Sequence, residues 1–441
     1  MLNRSDLHPY QSDAVQWIAD HAEGMIWLGL GDGKTAIALT AILDLDVCAL
    51  VFGTKKIVEY AWPTEIEKWE HLKGLTYRAC TGSLKERQRA LNAGPNILGV
   101  SYENLKWYFE QNDPEPRDLV VFDEISKMKD QSTQRFKAFK KFRDGYPSIY
   151  GLTATPAAES YLGLYAQYKT VVSEPILGRT LTQFRETYTT PIFKGMFTDY
   201  KVGPLQKRAI EAAIEPYTFV VPESARVKRD EPTLIDVPIP WSSKDDRLLY
   251  KQMEQKMILE LEGQRTPIQA ASKGVAFNKC RQLATGFIYD EQGPYRTDQA
   301  KMDAIVEEYG ALGGEPVLIL YQFLWERDEL LTRLDGAEPL EGDAYERFNR
   351  GEIKALIVHP NSCGHGLNLQ GECRHVFWSS LPWSLEGYLQ SNGRIDRQGQ
   401  TKQVVIKRFL RQQSIDEDIV ARLAGKVESM TELIERMRGR V

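Results

Sequence analysis

The sequence contains a short glycine-rich stretch whose residue types suit phosphate binding. Glycines such as Gly31 and Gly33 let the backbone curl so that its N–H groups face phosphate oxygens. Lys34 would then reach the β- and γ-phosphates of a nucleotide, and Thr35 would ligate Mg²⁺. The strict phosphate-loop pattern lacks its first glycine here, because that position is Leu28. The alternative is a turn between a strand and a helix that binds no nucleotide.

An acid pair, Asp123–Glu124, follows the apolar run Leu-Val-Val-Phe. Acidic residues at the C-terminal edge of a strand lie in the crevice where open α/β sheets bind ligands. Asp123 would hold the Mg²⁺ shell, and Glu124 would orient or deprotonate an attacking water. The alternative is two solvated carboxylates at the end of a strand.

Two arginines, Arg394 and Arg397, lie close together near the C-terminus, with Asp396 between them. If this segment is a helix, the spacing of three predicts that both guanidinium groups share one face. A planar guanidinium can grip phosphate oxygens bidentately, which an ammonium cannot do. The alternative is a surface helix with solvated charges.

Short apolar runs, each followed by turn residues and an amphipathic stretch, would position these side chains. Such alternation is typical of parallel sheets covered by helices on both faces, so we predict α/β domains at both ends of the chain. The runs are residues 47–53, 96–102, 119–124, 148–155, 317–323, 355–360, 375–380 and 403–410.

The middle of the chain differs from its two ends. From about residue 160 to 300 it is rich in Glu, Lys, Gln and Tyr, with helical spacing in 248–263 and 276–287. We therefore predict a mostly helical insertion between the two α/β domains. The predicted boundaries are 1–160, 161–298 and 299–441.

Composition narrows the class of protein. Of the 441 residues, 42% are hydrophobic and 27% charged, which indicates a folded chain of two or three domains. The net charge of −5 argues against a non-specific coat on nucleic acid, so any such contact needs a local basic groove. Five cysteines without a C-x-x-C motif fit a reducing compartment. No signal peptide or membrane span is evident, and a cytoplasmic location is expected.

The ordered set of motifs resembles superfamily 2 nucleic-acid motors, specifically the Swi/Snf-type DNA translocases. Besides the phosphate loop and the acid pair, the resemblance extends over nearly the whole chain. It is carried by LHPYQSDAVQWI (7–18), VFGTKKIVEYAWPTEIEKW (51–69), SYENL (101–105), GLTATPAAES (151–160), FLWERDELLTRL (323–334) and SCGHGLNLQGECRHVFWSSLPWSLEGYLQSNGRIDRQGQ (362–400).

The resemblance implies two RecA-like domains with Mg-ATP between them and a helical insertion. It implies that Gln11 reads adenine, that Gly366 belongs to the nucleotide site, and that Arg394 and Arg397 reach the γ-phosphate from the second domain. The implied nucleic-acid contacts are Lys55, Lys56, Ser101, Asn104, Thr153, Thr155, Gln322, Ser362, Gly364 and Trp383.

The sequence departs from the family pattern at several positions. Ser126 stands where the family has a histidine after the acid pair, and Asp396 stands where it has one between the arginines. Leu381-Pro382-Trp383 replaces a Trp-Asn-Pro block, and Asp32 places a carboxylate in the phosphate loop. These departures bear on how nucleic acid and ATP are coupled.

The resulting prediction is an ATP-driven translocase on double-stranded DNA, expected to be monomeric, with an unidentified protein partner left open. One alternative is a strand-separating DNA or RNA helicase. Another is a scaffold that binds ATP or DNA without motor activity.

Two further patterns suggest other sites. The segment with His359, Cys363, His365, Cys373 and His375 could suggest zinc, but its intervals are irregular. Asp343 with Glu352 and Lys354 superficially matches a nuclease core. Both segments are better explained by the motor motifs.

Overall fold

The computed structural model describes residues 1–111, 117–194, 197–222, 225, 230–263, 267–290, 293–362 and 368–439. By its internal packing the chain divides into two units. Unit 1 comprises Met1–Ile192, Asp199–Lys228 and Glu428–Val441, and unit 2 comprises Phe193–Thr198 and Arg229–Val427.

The strands and helices are numbered along the chain. The strands are β1 Glu23–Trp27, β2 Ala49–Gly53, β3 Tyr77–Cys80, β4 Ile97–Ser101, β5 Leu119–Asp123, β6 Ser148–Thr153, β7 Thr190–Lys194, β8 Phe197–Lys201, β9 Thr218–Val220, β10 Thr233–Ile239, β11 Phe287–Asp290, β12 Gly293–Arg296, β13 Val317–Leu320, β14 Ala337–Pro339, β15 Ala355–Val358, β16 His375–Trp378 and β17 Val405–Arg411. The helices are α1 Pro9–Asp20, α2 Lys34–Leu45, α3 Trp62–Lys68, α4 Leu84–Asn92, α5 Leu105–Gln111, α6 Gln134–Lys140, α7 Leu162–Val171, α8 Leu181–Tyr188, α9 Pro204–Ile214, α10 Lys244–Gly263, α11 Pro267–Thr285, α12 Ala300–Ala311, α13 Leu324–Arg333, α14 Ala344–Asn349, α15 Leu385–Asn392 and α16 Ile415–Arg438.

Unit 1 is built on a seven-stranded parallel sheet in the order β3-β4-β2-β5-β6-β1-β9. Its central strands are buried on both faces, which explains their continuous apolar sequence. In β5, Val120 and Phe122 join one hydrophobic cluster, while Leu119 and Val121 join the cluster on the opposite face. This alternation follows from the two-residue period of a strand.

The chain returns to unit 1 at its C-terminal end. Leu433 and Met437, near the end of α16, are fully buried in the same cluster as Phe122. Arg436 of this segment lies 3.3 Å from the buried carboxylate of Glu211 in α9. Residues from both ends of the sequence therefore complete one hydrophobic core.

Unit 2 contains a six-stranded parallel sheet in the order β10-β17-β16-β13-β15-β14. A buried ion pair joins Arg411, the last residue of β17, to Asp298 before α12, with both side chains fully buried. The Arg411 guanidinium also donates to the carbonyls of Pro240 and Ala284. One arginine thus connects four separate segments of the unit.

The predicted α/β class is confirmed, and every predicted apolar run overlaps a strand. The predicted helical middle contains helices α7 to α11, but it also supplies strands to both large sheets. β9 pairs with β1 in unit 1, and β10 pairs with β17 in unit 2. The domain boundaries at 160 and 298 stay predictions, since the two units share the predicted insertion between them.

The structure also bears on membrane insertion. Among the helices in the described part of the chain, none combines the length and apolar character that crossing a bilayer requires.

Candidate nucleotide-binding site

The glycine-rich stretch forms the loop between β1 and α2. Gly31 and Gly33 have φ angles of 80° and 81°, in the left-handed region that favours glycine. Gly33 immediately precedes α2, and a Cβ atom at this position would lie 2.1 Å from Nε2 of Gln11. Both backbone conformation and space therefore require glycine at position 33.

Lys34 begins α2 and bends back over the loop. Its Nζ donates to the carbonyls of Leu28 at 3.0 Å and Gly29 at 2.9 Å. Thr35 follows in the first turn of α2, where backbone N–H groups and the helix dipole favour an anion. This geometry is that of a loop that can receive phosphate groups.

Two side chains of α1 hold the loop from one side. Tyr10 Oη donates to the Asp32 carbonyl at 3.2 Å, and Gln11 Nε2 donates to the same oxygen at 3.1 Å. Gln11 Oε1 accepts from the backbone N–H of His8 at 2.8 Å. Gln11 is thus buried against the phosphate loop, and its predicted contact with adenine stays a prediction.

Asp123 ends β5 and is 8% exposed. Its Oδ2 accepts a hydrogen bond of 2.9 Å from Nε1 of Trp62, the first residue of α3. Burial raises the pKa of Asp123, whereas the Trp62 hydrogen bond and the positive charge of Lys34 lower it. Asp123 pairs with Leu152 of β6, and the next residue, Thr153, pairs with Trp27 at the end of β1, so the predicted metal ligand lies at the same edge of the sheet as the phosphate loop.

Glu124 has an unusual backbone conformation, with φ 64° and ψ 65°. A non-glycine residue in this region costs about 1–3 kcal/mol, and such strain clusters at functional sites. Tyr102 Oη donates to the carbonyls of Asp123 at 3.1 Å and Glu124 at 3.2 Å, which fixes the turn. The Glu124 side chain is 6% exposed, and its Oε1 accepts from Thr153 Oγ1 at 2.8 Å.

The donor atoms at this edge of the sheet fit Mg²⁺. The Thr35 hydroxyl and the Asp123 carboxylate are hard oxygen ligands, and Mg²⁺ typically binds through one or two such groups plus substrate phosphates. Within the described residues, no cluster of three or more His, Cys, Asp or Glu side chains forms a metal site of its own. Mg²⁺ held by these two oxygens would take further ligands from substrate phosphates.

Arg394 and Arg397 belong to unit 2, and the prediction that they share a helix face is wrong. Helix α15 ends at Asn392, and the two arginines lie in the turns that follow Gly393. Arg394 is 8% exposed, and its carbonyl accepts from the backbone N–H of Leu369. Arg397 is half-buried. Their contact with a nucleotide stays a prediction.

The residues predicted to contact nucleic acid fall into three groups by exposure. Lys55 and Ser362 are exposed, whereas Ser101, Thr153 and Thr155 are buried. Half-buried are Lys56, Asn104 and Gln322, and Asn104 Oδ1 accepts from Arg87. Gly364 lies outside the described residues, as does Gly366 of the predicted nucleotide site. The nucleic-acid contacts stay predictions.

Trp383 is held by neighbours within unit 2. Its ring makes an edge contact with Phe277 at 4.8 Å and lies under the Arg422 guanidinium at 4.1 Å. Its carbonyl accepts from Lys426 Nζ at 3.0 Å. These contacts favour a packing role, although Trp383 as a whole residue is still 38% exposed.

The structure gives little support to the zinc-like pattern or to the nuclease-like pattern. Cys373 is buried and donates to the carbonyls of Pro316 and His375, while the His375 ring bonds to Glu315. Cys363 and His365 lie outside the described residues. Of the nuclease-like set, Glu352 forms an exposed ion pair with Arg350.

Sequence reasoning missed three residues that hold the site together: Tyr10, Trp62 and Tyr102. Each bonds to the phosphate loop or the acid pair over a separation of 21 or more positions. The only signal available was their place in motif-like blocks, since Tyr10 precedes Gln11, Trp62 follows Lys55–Lys56 and Tyr102 follows Ser101.

Family comparisons match both ends of the chain. Residues 4–158 match the family described as type III restriction enzyme, res subunit, and residues 327–399 match the helicase conserved C-terminal domain. The first match contains the phosphate loop and the acid pair, and the second contains Arg394 and Arg397.

Several relatives are similar over nearly the whole chain. Protein p41 of Acyrthosiphon pisum secondary endosymbiont phage 1 is 29% identical over 98% of both chains. The DNA repair and recombination protein RAD54-like of Gallus gallus is 24% identical over 95% of this chain and 66% of its own length. The chromodomain-helicase-DNA-binding protein 1-like of Danio rerio is 22% identical over 99% of this chain, which spans 45% of that relative.

A solved structure, the Sulfolobus solfataricus SWI2/SNF2 ATPase core in complex with dsDNA, aligns with 97% of this chain and 93% of its own. That alignment has a TM-score of 0.43 and 19% identity. The two family matches and the relatives agree with the order of motifs along the sequence. The chain is therefore similar over nearly its whole length to helicase-like ATPases of superfamily 2, including proteins of the Swi/Snf-type branch, and its two helicase-type matches indicate an ATP-hydrolysing enzyme.

Proposed function

We propose that this ATPase is stimulated by DNA and uses ATP hydrolysis to move along double-stranded DNA. The observation that carries the proposal is the 2.8 Å hydrogen bond from Thr153 Oγ1 to Glu124 Oε1. Thr153 begins the Thr153–Thr155 segment, which is expected to contact nucleic acid. A nucleic-acid backbone that ordered this segment would therefore also change the position of the carboxylate expected to orient the attacking water.

Each residue of the site has a separate role in ATP hydrolysis. Lys34 binds the β- and γ-phosphates, Thr35 and Asp123 hold Mg²⁺, and Glu124 orients the water and takes its proton. When bound, Mg²⁺ neutralises charge that develops on the phosphate oxygens. Arg394 and Arg397 add positive charge at the γ-phosphate, where a planar guanidinium is worth most in the transition state.

Two considerations favour DNA as the track. The relatives named above include a DNA repair and recombination protein and a chromodomain-helicase-DNA-binding protein. The expected contacts are hydroxyls, lysines and backbone groups, which bind phosphates without reading sequence, as a translocase requires. A monomer in the cytoplasm of a bacterium or a phage-infected cell fits this function, with a protein partner as a further possibility.

ATPase assays with four nucleic-acid conditions test the proposal. The rate would be measured with no nucleic acid, single-stranded DNA, duplex DNA and RNA, for the natural protein and Lys34→Ala. Duplex DNA should stimulate most, and Lys34→Ala should be inactive. Lys73→Ala is the matched control, because Lys73 is an exposed lysine of the same unit paired with Glu70. Stimulation by RNA alone would overturn the choice of track.

A second assay separates translocation from strand separation. A duplex translocase displaces the third strand of a triplex without unwinding the duplex beneath it. We expect triplex displacement that requires ATP, without strand displacement on a forked duplex. Strand displacement would support a helicase, and a purified chain with no DNA-stimulated ATPase at all would support a binding scaffold.

A further inference from the structure

Trp62 is a fully buried tryptophan whose only polar atom is aimed at the acid pair. Its indole Nε1 lies 2.9 Å from Oδ2 of Asp123, 61 positions away in sequence. Its ring belongs to the hydrophobic cluster that also contains Ile66 and Val121. The ring therefore has an apolar environment, while its N–H contacts the carboxylate expected to hold Mg²⁺.

The backbone before Trp62 explains why the indole points to this carboxylate. A π-helical turn, Ile57–Ala61, separates Trp62 from Lys55 and Lys56 at the end of β2. One extra residue in a helical turn rotates all later side chains by about 100° around the helix axis. The carbonyl of Val58 in this turn accepts from Tyr77 Oη at 2.5 Å, which holds the wide turn in place.

A buried carboxylate needs donors to stay both charged and oriented. Asp123 is almost completely buried, so a lost donor would leave its charge poorly compensated. Partners of metal-binding side chains fix the orientation of the ligand, and their substitution typically weakens metal affinity or activity by about 10- to 100-fold. An indole N–H locked by packing is a rigid donor of this kind.

We propose that Trp62 is a positioning residue that holds the Asp123 carboxylate in the orientation needed for Mg²⁺ bound with ATP. The proposal rests on the role given to Asp123 in the proposed function. Under this proposal, Trp62 orients a metal ligand in addition to packing in the core. The segment after Lys55–Lys56 then helps to fix the geometry of the metal site.

The variant Trp62→Phe removes the N–H donor and keeps an aromatic ring. The measurement is equilibrium binding of a fluorescent, non-hydrolysable ATP analogue, titrated with Mg²⁺ and repeated in EDTA. We expect Trp62→Phe to bind the analogue normally in EDTA and to need about 10- to 100-fold more Mg²⁺ for half-maximal tightening. ATPase rates measured at the same Mg²⁺ concentrations should shift in parallel.

Trp69→Phe is the matched control. Trp69 is also buried, and its Nε1 donates to a carboxylate, that of Glu65, at 2.6 Å. The same atoms and the same kind of bond are lost, but at a carboxylate that belongs to helix α3 and not to the acid pair. Trp69→Phe should show the Mg²⁺ dependence of the natural protein.

A double-mutant cycle with Asp123→Asn tests whether Trp62 acts through Asp123. In the Asp123→Asn background, Trp62→Phe should cause no further change in Mg²⁺ dependence. If Trp62→Phe fails to fold, Trp62→benzothienylalanine removes the N–H while retaining the shape of the indole.

Different results would reject different proposals. An Mg²⁺ dependence of Trp62→Phe equal to that of Trp69→Phe would reject the role of Trp62, as would an undiminished effect in the Asp123→Asn background. A natural protein that binds the analogue neither with nor without Mg²⁺ would instead reject the nucleotide site itself.

Discussion

Thr153→Val would break the connection between the expected nucleic-acid segment and the acid pair. Valine has nearly the same shape, so the change removes a hydroxyl without creating a cavity. The Glu124 carboxylate would lose its 2.8 Å hydrogen bond, and the backbone N–H of Thr155 would lose an acceptor at 3.0 Å. Both groups are buried, so water would not replace the lost partners freely.

The magnitude follows from the two bonds. A hydrogen bond to a charged group contributes about 1.5–3 kcal/mol, and a neutral one contributes about 1 kcal/mol. We therefore expect unit 1 to lose about 2.5–4 kcal/mol of its free energy of unfolding. If the charged bond acts fully in the transition state, the same 1.5–3 kcal/mol lowers kcat by about 10- to 150-fold.

The assay is duplex-stimulated ATPase activity at saturating ATP, together with thermal unfolding. Thr153→Ser keeps the hydroxyl and should retain most of kcat. Thr170→Val is the control for a buried threonine in the same unit, because its hydroxyl donates to the Ala166 carbonyl of its own helix. A Thr153→Val variant with the kcat of the natural protein would refute the reasoning, since the bond would then not serve catalysis.

Further predictions concern the phosphate loop, the core of unit 2 and the thiols. Gly33→Ala should lower nucleotide affinity by at least about tenfold in an equilibrium binding measurement. The Cβ atom of the alanine would displace the Gln11 side-chain amide, and an alanine at a φ of 81° costs about 1–2 kcal/mol. Arg411→Met should lower the free energy of unfolding of unit 2 by about 3–5 kcal/mol in thermal or chemical unfolding, because Asp298 would keep a buried charge without its arginine. The double variant with Asp298→Asn should recover part of that loss. Of the four cysteines in the described residues, only exposed Cys48 should react with iodoacetamide at pH 7.5 in peptide mapping, since burial raises the pKa of the other three thiols to about 11 or 12. Rapid labelling of a buried thiol in the folded protein would contradict the packing described here.

The sequence predicted the strands with continuous apolar runs, because burial on both faces leaves a clear local signal. It missed β1, whose five residues include Glu23 and Gly24, and it missed β9, whose three residues gain their place only by pairing with β1. Strands of this kind depend on tertiary pairing that no local pattern records.

The glycines, the acid pair and the lysine of the candidate site could be predicted from the sequence, because phosphate or metal binding requires each of these residue types. The supporting contacts were not predictable. The Trp62–Asp123 bond joins positions that periodicity cannot relate, and the strained backbone of Glu124 has no signature in the sequence. The helix expected at Arg394 was wrong for a related reason, since a spacing of three also occurs in the successive turns that follow a helix, and α15 ends at Asn392.

The return of the C-terminal segment to unit 1 affects how this protein can be dissected or recombined. A fragment that stopped at residue 160 would lack β9, Glu211 and the final turns of α16, and would leave apolar side chains of its core open to water. A premature stop codon before Leu433 would damage the domain encoded first, not only the one encoded last. Exchange of segments between related genes is therefore expected to succeed only when the strands of the unit 1 sheet and the final turns of α16 come from the same parent.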